Sequence, residues 1–321
     1  MIENLTAIKF KDIYLPSNWP NITFSLYLFG QIISFPCYLF VFYHLLSKKT
    51  TRTALYNHST IIMLLFNFIY LTIGISLYSK FMISGVYQPF HFILCLIHQM
   101  VDRGIWYGAV FSMIWLSFER HILIFHSHWH NTKCRRYLFH YIPLGIFSLY
   151  APCFYFYMIF IYPCEHQYNS YVYLCGGPWY SCSFSLSFRL YLTFGHNLIP
   201  FPLIVILSGS VLLRVLIQKQ RLKRGNLWRK NRKIILQFIS ISSTYIIFAL
   251  PFTIINISRR INGYDVDTNV RILIDAMANV PAIVLPYATA MTLPDLKEKL
   301  SKLIFFKRTQ RIIHPLPQHI T

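Results

Sequence analysis

The chain has 321 residues, of which 55% are hydrophobic, 18% aromatic and only 12% charged. A water-soluble domain usually carries about 25% charged residues, so this composition excludes a soluble globular fold and implies a surface covered by lipid. The formal net charge of +20 is dispersed over loops rather than gathered in one tract, which argues for contact with anionic lipid and against a nucleic-acid partner.

Residues 1–23 form a short N-terminal segment. Its first 20 residues hold Glu3, Lys9, Lys11, Asp12 and two prolines but no apolar h-region, so no cleaved signal peptide is expected. Asn4 and Asn21 each open an Asn-x-Thr glycosylation sequon; Asn57 opens a third, on the opposite side of the first span. Seven apolar segments follow, at about 24–46, 58–79, 92–118, 137–162, 190–217, 234–257 and 270–293. Each reaches the ~20 residues that one membrane crossing needs. The expected fold is therefore an all-α membrane bundle of seven helices over 24–293.

Several segments carry residues that a lipid-exposed helix does not need. The second holds Asn67. The third holds Cys95, His98, Asp102 and Arg103, and ends near Glu119-Arg120-His121. Cys95 and Arg120 are 25 residues apart, about 37 Å of helix, or one bilayer with its headgroup margins. Pro143 and Pro152 interrupt the fourth, and Pro200 and Pro202 the fifth. The sixth contains Tyr245 and Phe248-Ala-Leu-Pro251, then Phe252; the seventh contains Asp275 and Leu285-Pro-Tyr-Ala-Thr289. In the tail, 294–321, Leu296, Leu300, Leu303 and Ile304 recur at helical spacing among lysines, the pattern of a short amphipathic helix on a membrane surface.

Charge predicts the orientation. With the N-terminus outside, the inner loops, adjoining helix ends and tail hold 22 of the 30 Lys and Arg residues. That is the positive-inside pattern. Cys95, Cys164, Cys175 and Cys182 then fall near the outer face. Four cysteines allow three complete pairings, which the sequence does not separate.

Across about 24–305 these features resemble the rhodopsin-like G-protein-coupled receptors. Glu119-Arg120-His121 resembles the family's Asp/Glu-Arg-Tyr, with His in place of Tyr. The resemblance implies that Glu119 and Arg120 satisfy one another at rest and that Arg120 swings to a G protein when the helices part. The alternative is an interfacial arginine reaching for headgroups. Phe248-Ala-Leu-Pro251 is similar to Cys-Trp-Leu-Pro, so Pro251 becomes a pivot, while Ala249 stands where the family has its tryptophan and Tyr245 takes part of that load. Pro286 fits Asn-Pro-x-x-Tyr, whose asparagine and final tyrosine are missing. Asn67 replaces the family's sodium-binding aspartate, so no metal is expected. The resemblance also implies a bridge from Cys95 to Cys175, with Cys164 and Cys182 left for a second, and makes the amphipathic tail an eighth helix.

Asp102 lies where amine-binding members carry the aspartate that pairs with a ligand ammonium. Arg103 needs a counter-ion of its own, so a network of Arg103 with Asp275 or Asp102 is favoured over direct amine capture. His98, Asp102, Arg103, Phe252 and Asp275 form the expected ligand set, for an amine or a short peptide. No Cys-x-x-Cys, Gly-rich phosphate loop or His-Glu-x-x-His occurs, so neither an enzyme nor a cofactor is expected. The competing reading is a seven-helix chemosensory channel or transporter, against which stand the absence of internal repeats and the basic tail. The expected place is the plasma membrane, crossed several times.

Overall fold

A computed structural model describes residues 19–87, 91–126, 132–163, 168–169, 173–176, 182, 184–221, 226–262, 268–291 and 293. Asn4 and the expected eighth helix lie outside these residues. Among these residues seven helices are long and apolar enough to cross a membrane: α1 (Asn21–Ser47), α2 (Leu55–Ser84), α3 (Phe92–Phe125), α4 (Lys133–Ile161), α5 (Leu186–Arg214), α6 (Ile235–Ile255) and α7 (Leu273–Ala290). Among the described residues the β-structure is one isolated bridge, Tyr168 to Gly176. The sequence places all seven spans. It sets α2 too short, ending it at 79, before the charge of Lys80. The helix instead runs to Ser84 and stops where Gly85, at φ +68°, closes a left-handed cap on the Phe81 carbonyl. α3 likewise continues to Phe125, so Glu119-Arg120-His121 lies within the helix rather than at its end.

α3 is the axis of the bundle. It packs on α2, α4, α5 and α6, while α7 packs on α1, α2 and α6. The core holds Tyr38, Met63, Leu64, Val110, Met113, Leu116, Ile241 and Leu285, all fully buried. The large apolar side chains Leu26, Phe29, Ile32 and Tyr43 of α1 are exposed, as lipid-facing residues are. α3 and α4 come close because Gly108 has no side chain: a Cβ there would stand 3.2 Å from Pro152 Cγ.

Among the described residues five stretches widen to π-helix: Tyr70–Gly74, Met100–Ile105, Tyr137–Tyr141, Tyr157–Ile161 and Leu192–Leu198. The second carries Asp102 and Arg103. The last immediately precedes Pro200 and Pro202, whose rings cannot continue the α-helical ladder. Proline also frees a carbonyl in α7. Pro286 offers no N–H to Ala282, and the Tyr38 hydroxyl of α1 donates to that carbonyl at 2.8 Å.

Candidate functional site

Three polar clusters lie along α3. At the Arg120 end, Glu119 and Arg120 are both buried, at 0% and 1% exposure, which sets aside a headgroup-seeking arginine. They do not satisfy one another as the sequence suggests. Neighbours on a helix point about 100° apart, and each finds other partners. Glu119 accepts from Ser59 of α2 and contacts His140 Nδ1 of α4. Arg120 Nη2 donates to the Tyr56 carbonyl at 2.6 Å and to Thr60 Oγ1 at 2.9 Å, and its guanidinium lies 5.7 Å from the Tyr56 ring centre. Its Nε and Nη1 are buried without a hydrogen-bond partner. His121 faces elsewhere: its Nε2 accepts from Arg214 of α5 at 2.9 Å, and Arg214 stacks 4.6 Å from the Phe125 ring centre. An arginine only donates, so His121 holds its proton on Nδ1.

At mid-bundle, the Asn67 amide of α2 donates to the Tyr245 hydroxyl of α6 at 2.9 Å. Both line a small cavity with Tyr70, Trp106, Ala109, Ala249, Ala278, Pro281 and Ala282. Ala249 is buried and vacates the volume of a large side chain. Above it the Trp106 indole of α3 fills the layer, edge-on to Phe252 at 5.8 Å and 6.3 Å from Phe201. Pro251 and Phe252 are half-buried and Pro286 is buried. Tyr70 donates to Asn279 Oδ1 at 2.6 Å, and Asn279 donates on to the Tyr27 hydroxyl at 3.1 Å, tying α2, α7 and α1 together.

At the Cys95 end a disulfide joins Cys95 to Cys175. Leu174 and Cys175 both have positive φ, 57° and 54°, a strained backbone for non-glycine residues. The bridge holds them there, together with Gln99 Nε2 donating to the Leu174 carbonyl at 2.8 Å and the Leu174 amide reaching the Tyr87 hydroxyl at 3.3 Å. Cys182 is also disulfide-bonded, and Cys164 lies outside the described residues. His98 is fully buried, with Nδ1 2.8 Å from the Tyr87 hydroxyl. Arg103 Nε lies 3.5 Å from Asp102, with the side chains 34% and 15% exposed. Asp275 of α7 is half-buried. The structure thus brings Asp102 and Arg103 together and groups His98 with Tyr87. Phe252 belongs to the Trp106 layer below.

Sequence reasoning missed His140, His58 and Ser59, although a histidine inside a span is itself a signal in a lipid environment. It also missed Trp106. Asn21 is exposed in the first turn of α1, and Asn57 is buried, its amide held on the Thr51 carbonyl at 2.8 Å.

The sequence model of the 7 transmembrane receptor (rhodopsin family) matches residues 38–291. The fold is similar to the crystal structure of squid rhodopsin, with a TM-score of 0.66 at 16% identity, covering 90% of this chain and 86% of that one. No curated protein sequence matches the chain.

Proposed function

Because the chain belongs to the rhodopsin family of seven-transmembrane receptors, we propose that it binds an extracellular ligand and activates a heterotrimeric G protein. The observation that carries this reading is Arg120, buried in α3 with two guanidinium nitrogens unpartnered. A buried cation with spare donors is costly at rest and gains by meeting acceptors on a partner once the helices part. The ligand enters between the outer halves of α3, α5, α6 and α7. His98, Asp102, Arg103 and Asp275 supply the polar contacts and Phe252 the apolar floor, for an amine or a short peptide. The N-terminus faces outward, with Asn4 and Asn21 as glycan acceptors, and the basic loops face the G protein in the plasma membrane. Pro251 and Pro286 let α6 and α7 bend, and Glu119, His121 and Tyr245 hold the resting state.

The test is Arg120→Ala. The variant reaches the cell surface in near-normal amount and fails to activate any G protein in a reporter panel. Normal signalling from it sinks the mechanism. A screen of amines and neuropeptides against the same reporter identifies the ligand class.

A further inference from the structure

Glu119 turns away from the arginine beside it. It meets His140 Nδ1, and His140 Nε2 stands 3.0 Å from His58 Nδ1. His58 Nε2 in turn lies 2.9 Å from the Arg52 carbonyl. The line of contacts starts at a fully buried carboxylate in α3 and passes through a fully buried imidazole in α4. It ends at a half-exposed imidazole in α2, beside the turn that joins α1 to α2.

The atoms fix the proton count. A carbonyl only accepts, so His58 carries a proton on Nε2. The contact between the imidazoles needs one proton, and so does the contact between His140 and Glu119. Two neutral imidazoles and a carboxylate supply two protons, whereas these three contacts need three. Filling all three contacts at once therefore takes one more. It rests as a carboxylic acid on Glu119, as an imidazolium on His140 or as an imidazolium on His58. Each form converts to the next by moving protons along hydrogen bonds already made, with no ring rotation.

We propose that Glu119, His140 and His58 form a proton relay between the buried middle of the α2–α3–α4 contact and water, and that its extra proton fastens α2 to α4. When the proton leaves through His58 to water, the His140–Glu119 contact keeps its proton. His140 Nε2 and His58 Nδ1 are then two lone pairs facing each other, and the link opens. The ionisable neighbours come from every adjoining element: Arg120 in α3, Tyr56 in α2, the Arg52 turn, and Tyr141 in α4, stacked on His58 at 5.8 Å. On the receptor reading proposed above, the water is cytosol. Because α2 also supplies both acceptors of Arg120, the fastened form holds that arginine back. A more alkaline cytosol then raises basal coupling.

The full-length chain, purified in detergent, is melted at about pH 6 and about pH 8, which brackets histidine titration. The proton binds the folded chain, so its stabilisation is present at low pH and lost as pH rises. The wild-type melting temperature falls by about 2–4 °C more than that of His58→Phe, which keeps the stack on Tyr141 but holds no proton. Glu119→Gln gives the same flattened profile, and it guards against misfolding of either variant alone. Parallel profiles in the wild type and both variants overturn the relay. In cells clamped at about pH 6.5 and about pH 7.5, basal G-protein activation by the wild type rises about twofold, and that by His58→Phe stays flat. Activation that ignores pH removes the regulatory role. No activation at either pH, with the melting difference intact, counts against the receptor reading and leaves the relay standing.

Discussion

Single side chains here are placed by what lipid withholds. Without water, a carbonyl freed by proline has to find a donor from another helix, and Tyr38 donates to Ala282 at 2.8 Å for that reason. Tyr38→Phe leaves the carbonyl unpaired and costs about 1–3 kcal/mol, read as a lower melting temperature in detergent. An unchanged value shows that another donor takes over. Arg103 and Asp102 follow a softer rule. With the arginine side chain 34% exposed, the loss on removing it stays well below the ~3–5 kcal/mol of a fully buried pair. Arg103→Ala lowers surface expression modestly, and adding Asp102→Asn restores it. If Asp275→Asn rescues instead, the counter-ion sits on α7. The sequence shows that these charges need partners. It does not show which partners, because that depends on the rotation of one helix against the next. For the same reason Glu119 looks paired with Arg120 in sequence, while its partners Ser59 and His140 come from other helices.

Helices as units are the most legible part of this chain. A crossing requires about 20 apolar residues with every backbone group paired internally, and that demand is written openly in composition. What composition does not carry is the local pitch, which widens to π-helix at five places among the described residues. Approach distance is similarly hidden. Gly108 and Gly145 look alike in sequence, yet a Cβ on Gly108 meets Pro152 at 3.2 Å and Phe66 at 3.3 Å, and one on Gly145 meets nothing within 4 Å. Gly108→Val therefore overpacks the α3–α4 contact and destabilises by about 1–3 kcal/mol. Gly145→Ala is neutral or stabilises by up to ~1 kcal/mol through helix propensity. Surface expression of the two variants side by side checks the contrast, and equal losses would show that the close approach does not govern packing.

For the molecule as a whole, the two ends of α3 are secured differently. At one end the Cys95–Cys175 bridge and two hydrogen bonds pin a strained loop segment. At the other, uncrosslinked side chains hold α2, α3 and α4. On the receptor reading proposed above, the bundle is covalently fixed where a ligand enters and adjustable where a partner docks. Between them Asn67 of α2 and Tyr245 of α6 are hydrogen-bonded beside a small cavity, below Pro251. On the receptor reading proposed above, the vacated volume at Ala249 gives α6 room to rotate and this link restrains it at rest. Tyr245→Phe keeps the ring and removes the hydroxyl, and Asn67→Ala removes the other half. Each releases α6 by about 1 kcal/mol, which raises basal G-protein activation by about fivefold where the active form is rare. Since both variants break the same bond, the double variant shows no more than either alone. Additive effects in a basal-activation assay, or a fall in activation from Tyr245→Phe, would mean that the tyrosine acts in the signalling state instead of holding α6 back.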